Sequence, residues 1–219
     1  MWGMVGRWKR WALIVSVALA VAIVTVPAVR TPILLAAGWA LVVDEPVGPA
    51  DVIVVAIDAG GAGVLEAVDL LHSGIAMRVA VFTDPPGALV DSEFIRRGAP
   101  YQDAAARSIR QFQSLGVATI EQIPRSVAGN EDEGRVLPHW CDLHQFRAVI
   151  LVSSSDHSRR LRRVLHRAME GHRTNVTVRF ARFSQFDPDR WWQTRAGFRT
   201  EIVELERLLL DLVRHPISS

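Results

Sequence analysis

Five short, mostly apolar runs, each separated from the next by a segment of helical periodicity, constrain this chain more than any other feature. DVIVVAI (51–57), RVAVF (78–82), ATIEQI (118–123), AVILV (148–152) and VTVRF (176–180) are rich in β-branched residues and read as strands. Residues 63–73, 102–115, 131–140 and 157–169 read as the intervening helices, and 199–213 as a closing one. Continuous rather than alternating apolar strands belong to a sheet covered on both faces. Strand–helix alternation then predicts an α/β domain built on a doubly wound, mostly parallel, Rossmann-like sheet. Residues 84–100 show no such period and read as a loop over one sheet edge.

The apolar excess of the chain lies at its front. Residues 11–29 (WALIVSVALAVAIVTVPAV) carry no charge, and about 20 such residues cross the hydrocarbon core of a bilayer. Arg7, Lys9 and Arg10 precede this run, whereas the charges that follow Arg30 are Asp44, Glu45, Asp51 and Asp58. The positive-inside bias makes 1–10 a cytoplasmic N-terminus and 11–29 a single transmembrane helix of the inner (plasma) membrane. It places the domain outside the cytoplasm. A cleavable signal peptide, cut at Val26-Pro27-Ala28, is the alternative. Residues 30–50 then form a membrane-proximal segment and linker, DEPVGPA (44–50) contributing two prolines and a glycine. The α/β domain takes 51–219. The formal net charge of +2 belongs to the front of the chain, because residues 1–43 contain four basic residues and no acid. The remainder is slightly acidic, so nucleic-acid binding finds no support. Cys141 is the lone cysteine; no intramolecular disulfide forms, and the expected role is that of a small buried hydrophobe.

In an open parallel sheet, ligands bind beyond the carboxyl ends of the strands. That rule selects Asp58, Gly60, Gly61 and Gly63 after the first strand, and Arg125, Ser126, Gly129, Asn130 and Glu131 after the third. After the fourth it selects Ser153, Ser154, Ser155, Asp156 and His157. The loop IDAGGAG lets backbone amides approach a phosphate or carboxylate. It lacks the GxGxxG spacing, no P-loop lysine exists because Lys9 is the only lysine, and a plain tight turn is its other reading. In SSSDHSRRLRRVLHRAMEGHR (153–173), Leu161, Val164, Leu165 and Ala168 supply a buried helical stripe. Arg159, Arg163 and Arg167 fall on another face, and the ordinary reading of that face is a solvated one. His157 and Arg160 differ, since they sit in the first turn, where cations oppose the helix dipole. That placement points to a ligand, with Asp156 as cap and counter-ion in the alternative. The seven histidines show no metal-ligand spacing with carboxylates, so no metal site is expected. A triad can be drawn from Ser126, His157 and Asp58, although no G-x-S-x-G elbow marks the serine.

Four segments together are similar to one family. They are ADVIVV opening the domain, LLHSGIAMRVAVF, ILVSSSDHSRRL, and RWW followed by a helix rich in Glu and Leu. The chain resembles the YdcF, SanA and ElyC group of bacterial envelope proteins from about Ala50 to Val213, together with the preceding anchor. The family's H-x-x-R after a strand corresponds to His157 and Arg160, and its serine and later glutamate to Ser126 and Glu131. The chain departs from the family where Ile57-Asp58-Ala59 precedes the glycines, where Ala128-Gly129 replaces Asn-Thr, and where Thr83-Asp84-Pro85-Pro86-Gly87 replaces a Ser-Gly-Gly region. The resemblance implies a role in envelope barrier function or cell-wall precursor metabolism, and in one branch S-adenosylmethionine binding.

Three functions follow from these readings. An envelope protein would bind an anionic or phosphorylated metabolite through Asp58, Gly60, Gly61, Ser153, Ser154 and Arg160, beside His157. A hydrolase or transferase would use His157 as acid/base, with Ser126 and Glu131 assisting. A non-catalytic interaction scaffold would keep the fold alone. Neither a cofactor nor an oligomeric state is specified by the sequence.

Overall fold

The computed structural model describes residues 25–87 and 89–216, together with Trp8, Trp11 and residues 14–16. Its sheet contains β1 (Val52–Val55), β2 (Val79–Thr83), β3 (Ile120–Ser126), β4 (Ala148–Ser153) and β5 (Asn175–Phe180). The order is β3-β2-β1-β4-β5, and every adjacent pair is parallel. The helices are α1 (Pro27–Ala40), α2 (Gly60–His72), α3 (Leu89–Arg96), α4 (Ala104–Ser114), α5 (Asn130–His144), α6 (Ser158–Ala168) and α7 (Arg195–Arg214), with a 3₁₀ turn at Trp191–Gln193. The expected α/β, doubly wound, Rossmann-like architecture is present, each predicted strand finding its counterpart. Within 84–100, read as loop, lies α3, an eight-residue helix that buries no side chain. Its apolar residues, Leu89, Val90, Phe94 and Ile95, stay exposed and add nothing to the core.

Every residue of β1 and β2 is buried, as continuous apolar runs require. Right-handed crossovers put the helices linking β1 to β3 on one face and those linking β3 to β5 on the other. Contacts agree, since α2 packs on α4 and α5 packs on α6. Gly63 makes close helix–strand packing necessary at the start of α2: a Cβ there would stand 2.5 Å from Ala59 Cβ and 2.8 Å from Val55 Cγ1. The chain order reverses after β3, so the connection crosses back to lay β4 beside β1. The carboxyl ends of β1 and β4 therefore flank the topological switch point, where such sheets open a crevice.

Residues 30–50, read as a membrane-proximal segment and linker, hold most of α1 and an extended run tied to the domain. Leu41 and Val42 are buried, Glu45 accepts from the Val178 amide, and Glu45 pairs with Arg162 at 2.5 Å. Gly38 lets α1 lie against Pro188 and Trp191, whose indole donates to the Leu34 carbonyl at 2.8 Å. Among the described residues no helix is long and apolar enough to cross a membrane. Most of the 11–29 run, read as the transmembrane helix, lies outside those residues.

Candidate functional site

The ends of β1 and β4 bring Asp58 and His157 together, with Nδ1 of the imidazole 2.7 Å from Oδ2 of the carboxylate. Ser153 and Ser154 hydroxyls also donate to Asp58, each at 3.2 Å to Oδ2. On its other nitrogen His157 meets Glu204 Oε1 at 3.3 Å and Asp156 Oδ2 at 3.4 Å. Burial alone disfavours an imidazolium, but the carboxylates of Asp58, Glu204 and Asp156 outweigh it and raise the pKa to about 10. At neutral pH His157 is therefore a cation whose two ring nitrogens already face carboxylates, and it holds a proton rather than accepting one.

A cleft of about 750 Å³ opens on one side of this pair. It is lined by the head of α5 (Gly129, Asn130, Glu131, Asp132), by His157 and Arg160, and by Arg207, Asp211 and Arg214 of α7. Its acids are engaged: Glu131 with Arg167, Asp132 with Arg135 and the Ala128 amide, and Asp211 with Arg163 and Arg167. Its donors are less so. Arg214 has no ion pair among the described residues, Arg160 leaves Nε unpartnered, and Asn130, only 2% exposed, leaves Nδ2 unpartnered. Glu133, fully buried one turn into α5, accepts from the Ile57 amide through Oε1 and leaves Oε2 without a partner. Desolvation, reinforced by the nearby Asp58 charge, raises its pKa to about 8. A neutral Glu133 carries a proton it can donate.

Of the sequence-selected residues, His157, Arg160, Glu131 and Asp58 line this one cleft. Ser153 is fully buried beneath Asp58, while Gly60, Gly61 and Ser154 line a second cleft that shares Asp58 and His157 as a wall. Ser126 is not brought in. It pairs with Thr83 on the far edge of the sheet, where the Thr83 hydroxyl donates to its Oγ at 3.3 Å. Two strands separate β3 from β4, and three strand spacings come to about 14 Å. The Ser126–His157–Asp58 triad is thus not assembled, though its Asp–His half is. Among the described residues no group of three or more His, Cys, Asp or Glu side chains is placed to hold a metal ion.

The arginines of α6 are not a solvated face. Arg163 and Arg167 both grip Asp211, whose side chain is 7% exposed, and Arg160 meets Glu204 at 3.4 Å. Arg159 donates to the Val42 carbonyl at 2.6 Å. The acids that meet Arg160, Arg163 and Arg167 lie on α7, whose buried face is Gly197, Glu201, Glu204, Leu208 and Asp211. The spacing of four, three, four and three in that set is legible in sequence, but the apolar residues Phe198, Ile202, Leu205, Leu209 and Val213 make a competing stripe. The apolar stripe faces largely outward and the acidic one inward, where Glu204 and Asp211 neutralise α6, while Glu201, with neither oxygen partnered, has its pKa raised by desolvation to about 7.

No family model and no curated protein matches the chain. The guanylylpyridinol- and ATP-bound structure of HcgE from Methanothermobacter marburgensis is similar at 14% identity, over 78% of this chain and 98% of that one, with a TM-score of 0.28. At that score the likeness carries no argument about ligand or activity.

Proposed function

We propose that the domain binds a small anionic, phosphorylated envelope metabolite in the crevice between β1 and β4, as a divergent protein of the YdcF, SanA and ElyC type. The observation that carries this reading is the excess of uncommitted donors in the cleft. Asn130 Nδ2 and Arg160 Nε lack partners and Arg214 has no ion pair among the described residues, while the carboxylates that line the same cleft already have partners. Buried donors without partners cost about 1–3 kcal/mol each, and a bound anion satisfies them. The head of a 15-residue helix adds its own amide donors to the same cleft. Thermal melts of the full chain with phosphate, pyrophosphate, a nucleotide-sugar, a polyprenyl phosphate and S-adenosylmethionine test this reading. A ligand at one hundred times its Kd stabilises by about 2.7 kcal/mol. Arg214→Ala is expected to leave the ligand-free melt unchanged, because the residue is exposed and has no ion pair among the described residues, while shrinking the anion-induced shift. A flat panel sinks the anion reading and favours the scaffold. His157, held protonated, would act as a general acid if the site also performs hydrolysis or transfer.

The membrane anchor belongs to the same proposal. The uncharged run 11–29 leads into α1, α1 packs on α7, and α7 presents Phe198, Ile202, Leu209 and Val213, each half exposed or more. That stripe suits the headgroup boundary of a bilayer beside the anchor. An alkaline-phosphatase fusion after Val213 should be active in a bacterial host. An inactive fusion, with a cytoplasmic reporter active at the same point, would reverse the orientation.

A further inference from the structure

Leu210 of α7 belongs to two surfaces at once. It lines the donor-rich cleft, beside Arg207, Asp211 and Arg214 of the same helix, and it also lines a shallow apolar groove of about 430 Å³. That groove is formed by Ile202, Leu205, Glu206, Leu209, Leu210 and Val213, all on α7. Glu206 is its only charged residue and is exposed. Leu209, Leu210 and Val213 are 59%, 45% and 79% exposed, and a contiguous apolar patch left in water marks a lipid, ligand or partner contact. Helix positions three and four apart are neighbours, so Leu210 stands between Arg207 and Arg214 as a gap in the cationic rim. From that gap, Leu209 and Val213 lie within one helical turn, about 5.4 Å along the axis. Donors on one side and hydrocarbon on the other are thus continuous across a single residue. The helix that carries both surfaces also packs on α1, which follows the uncharged run 11–29.

We infer that the ligand is a lipid phosphate, a phosphate monoester whose head sits in the cleft and whose hydrocarbon chain leaves it over Leu210, between Arg207 and Arg214, to lie along Leu209 and Val213. This rests on the anion-binding reading above and names the class of compound within it. A wholly hydrophilic phosphate leaves the groove in water, and an alcohol of the same chain brings no anion to the cleft. A molecule with both ends answers both surfaces, and an uncharged segment of this chain beside α7 places the source of such molecules, a bilayer, next to the groove.

The test is calorimetric titration of the full chain in phosphatidylcholine nanodiscs with ethyl, hexyl and octyl phosphate and with octanol, after subtraction of titrations into empty discs. Six added methylenes, even partly buried, should make octyl phosphate bind about tenfold tighter than ethyl phosphate or more, with hexyl phosphate between them. Leu209→Gln combined with Val213→Gln replaces two exposed apolar side chains by good helix formers. The double variant should lose that gain and keep the wild-type affinity for ethyl phosphate. Farnesyl phosphate and dodecyl phosphate then separate the sources: either order of affinity upholds the inference and names an isoprenoid or a straight-chain lipid. If ethyl phosphate binds and chain length adds nothing, the lipid inference fails and the anion reading stands. A gain that survives the double variant also overturns it, by placing the chain elsewhere. If octanol binds as tightly as octyl phosphate, or no phosphate binds at all, the anion reading itself fails and takes this inference with it.

Discussion

Replacing Asp211 by alanine is expected to destabilise the protein by about 3 kcal/mol, a large fraction of the stability of a domain this size. Asp211 is 8% exposed and is the shared acceptor for Arg163 and Arg167 across the α6–α7 interface. Its burial opposes ionisation, yet the two guanidiniums hold its carboxyl below the usual range. Alanine at 211 leaves Arg167 only Glu131 at 3.7 Å and Arg163 only the His215 carbonyl, and a poorly compensated charge at a semi-buried interface costs more than the intact pair contributed. Urea unfolding measures the effect as a fall in midpoint with little change in slope. A loss below about 0.5 kcal/mol, the usual range for surface substitutions, would mean that α7 is held by its apolar contacts and the acidic stripe is incidental.

The second large effect depends on pH. Glu133 ionises near 4.5 in an unfolded chain and near 8 in the folded one. Between those values the folded state binds the extra proton, so stability falls as pH rises from about 4.5 to 8. At about 1.36 kcal/mol for each pH unit, the decline is on the order of a few kcal/mol. Glu133→Gln keeps the shape and a donor but cannot ionise. It should match the wild type near pH 4.5 and exceed it in stability at pH 8. His157 has its pKa raised from 6.5 to about 10, so its contribution is complete below 6.5 and is lost as pH rises toward 10. That later decline should persist in Glu133→Gln and disappear in His157→Gln. Parallel stability curves for wild type and Glu133→Gln between pH 4.5 and 8 would show Glu133 already ionised in the fold.

The sheet was legible because its physics is local. Five apolar runs must be buried on both faces, and helical segments between them leave a parallel arrangement as the economical solution. The site was legible to the extent that it follows from strand ends: Asp58, His157 and Arg160 line one cleft because β1 and β4 are neighbours, and Glu131 reaches it at the head of α5, the helix that crosses back to β4. Ser126 failed for the complementary reason. Strand order is a tertiary property, and two strands intervene between β3 and β4. Glu133 was hidden because its importance lies in desolvation, which spacing does not report. In α7 the conflict was sharper. Apolar periodicity assigns Ile202 and Leu209 to the core, but the Arg163 and Arg167 charges next door need Asp211 more than the core needs another leucine. Helix α3 is eight residues long and buries nothing, so burial does not set it apart from the proline-flanked loop around it.

Whether the crevice between β1 and β4 is an anion site is decided most directly by one titration. Inorganic pyrophosphate is injected into the full chain by calorimetry, for the wild type and for Arg160→Ala. Saturable binding is expected for the wild type, weakening as salt rises. Loss of one charge-assisted contact should lower the affinity of Arg160→Ala by about tenfold or more. Binding that is absent in the wild type, or of equal affinity in both proteins, would contradict the assignment of the crevice and of Arg160 within it.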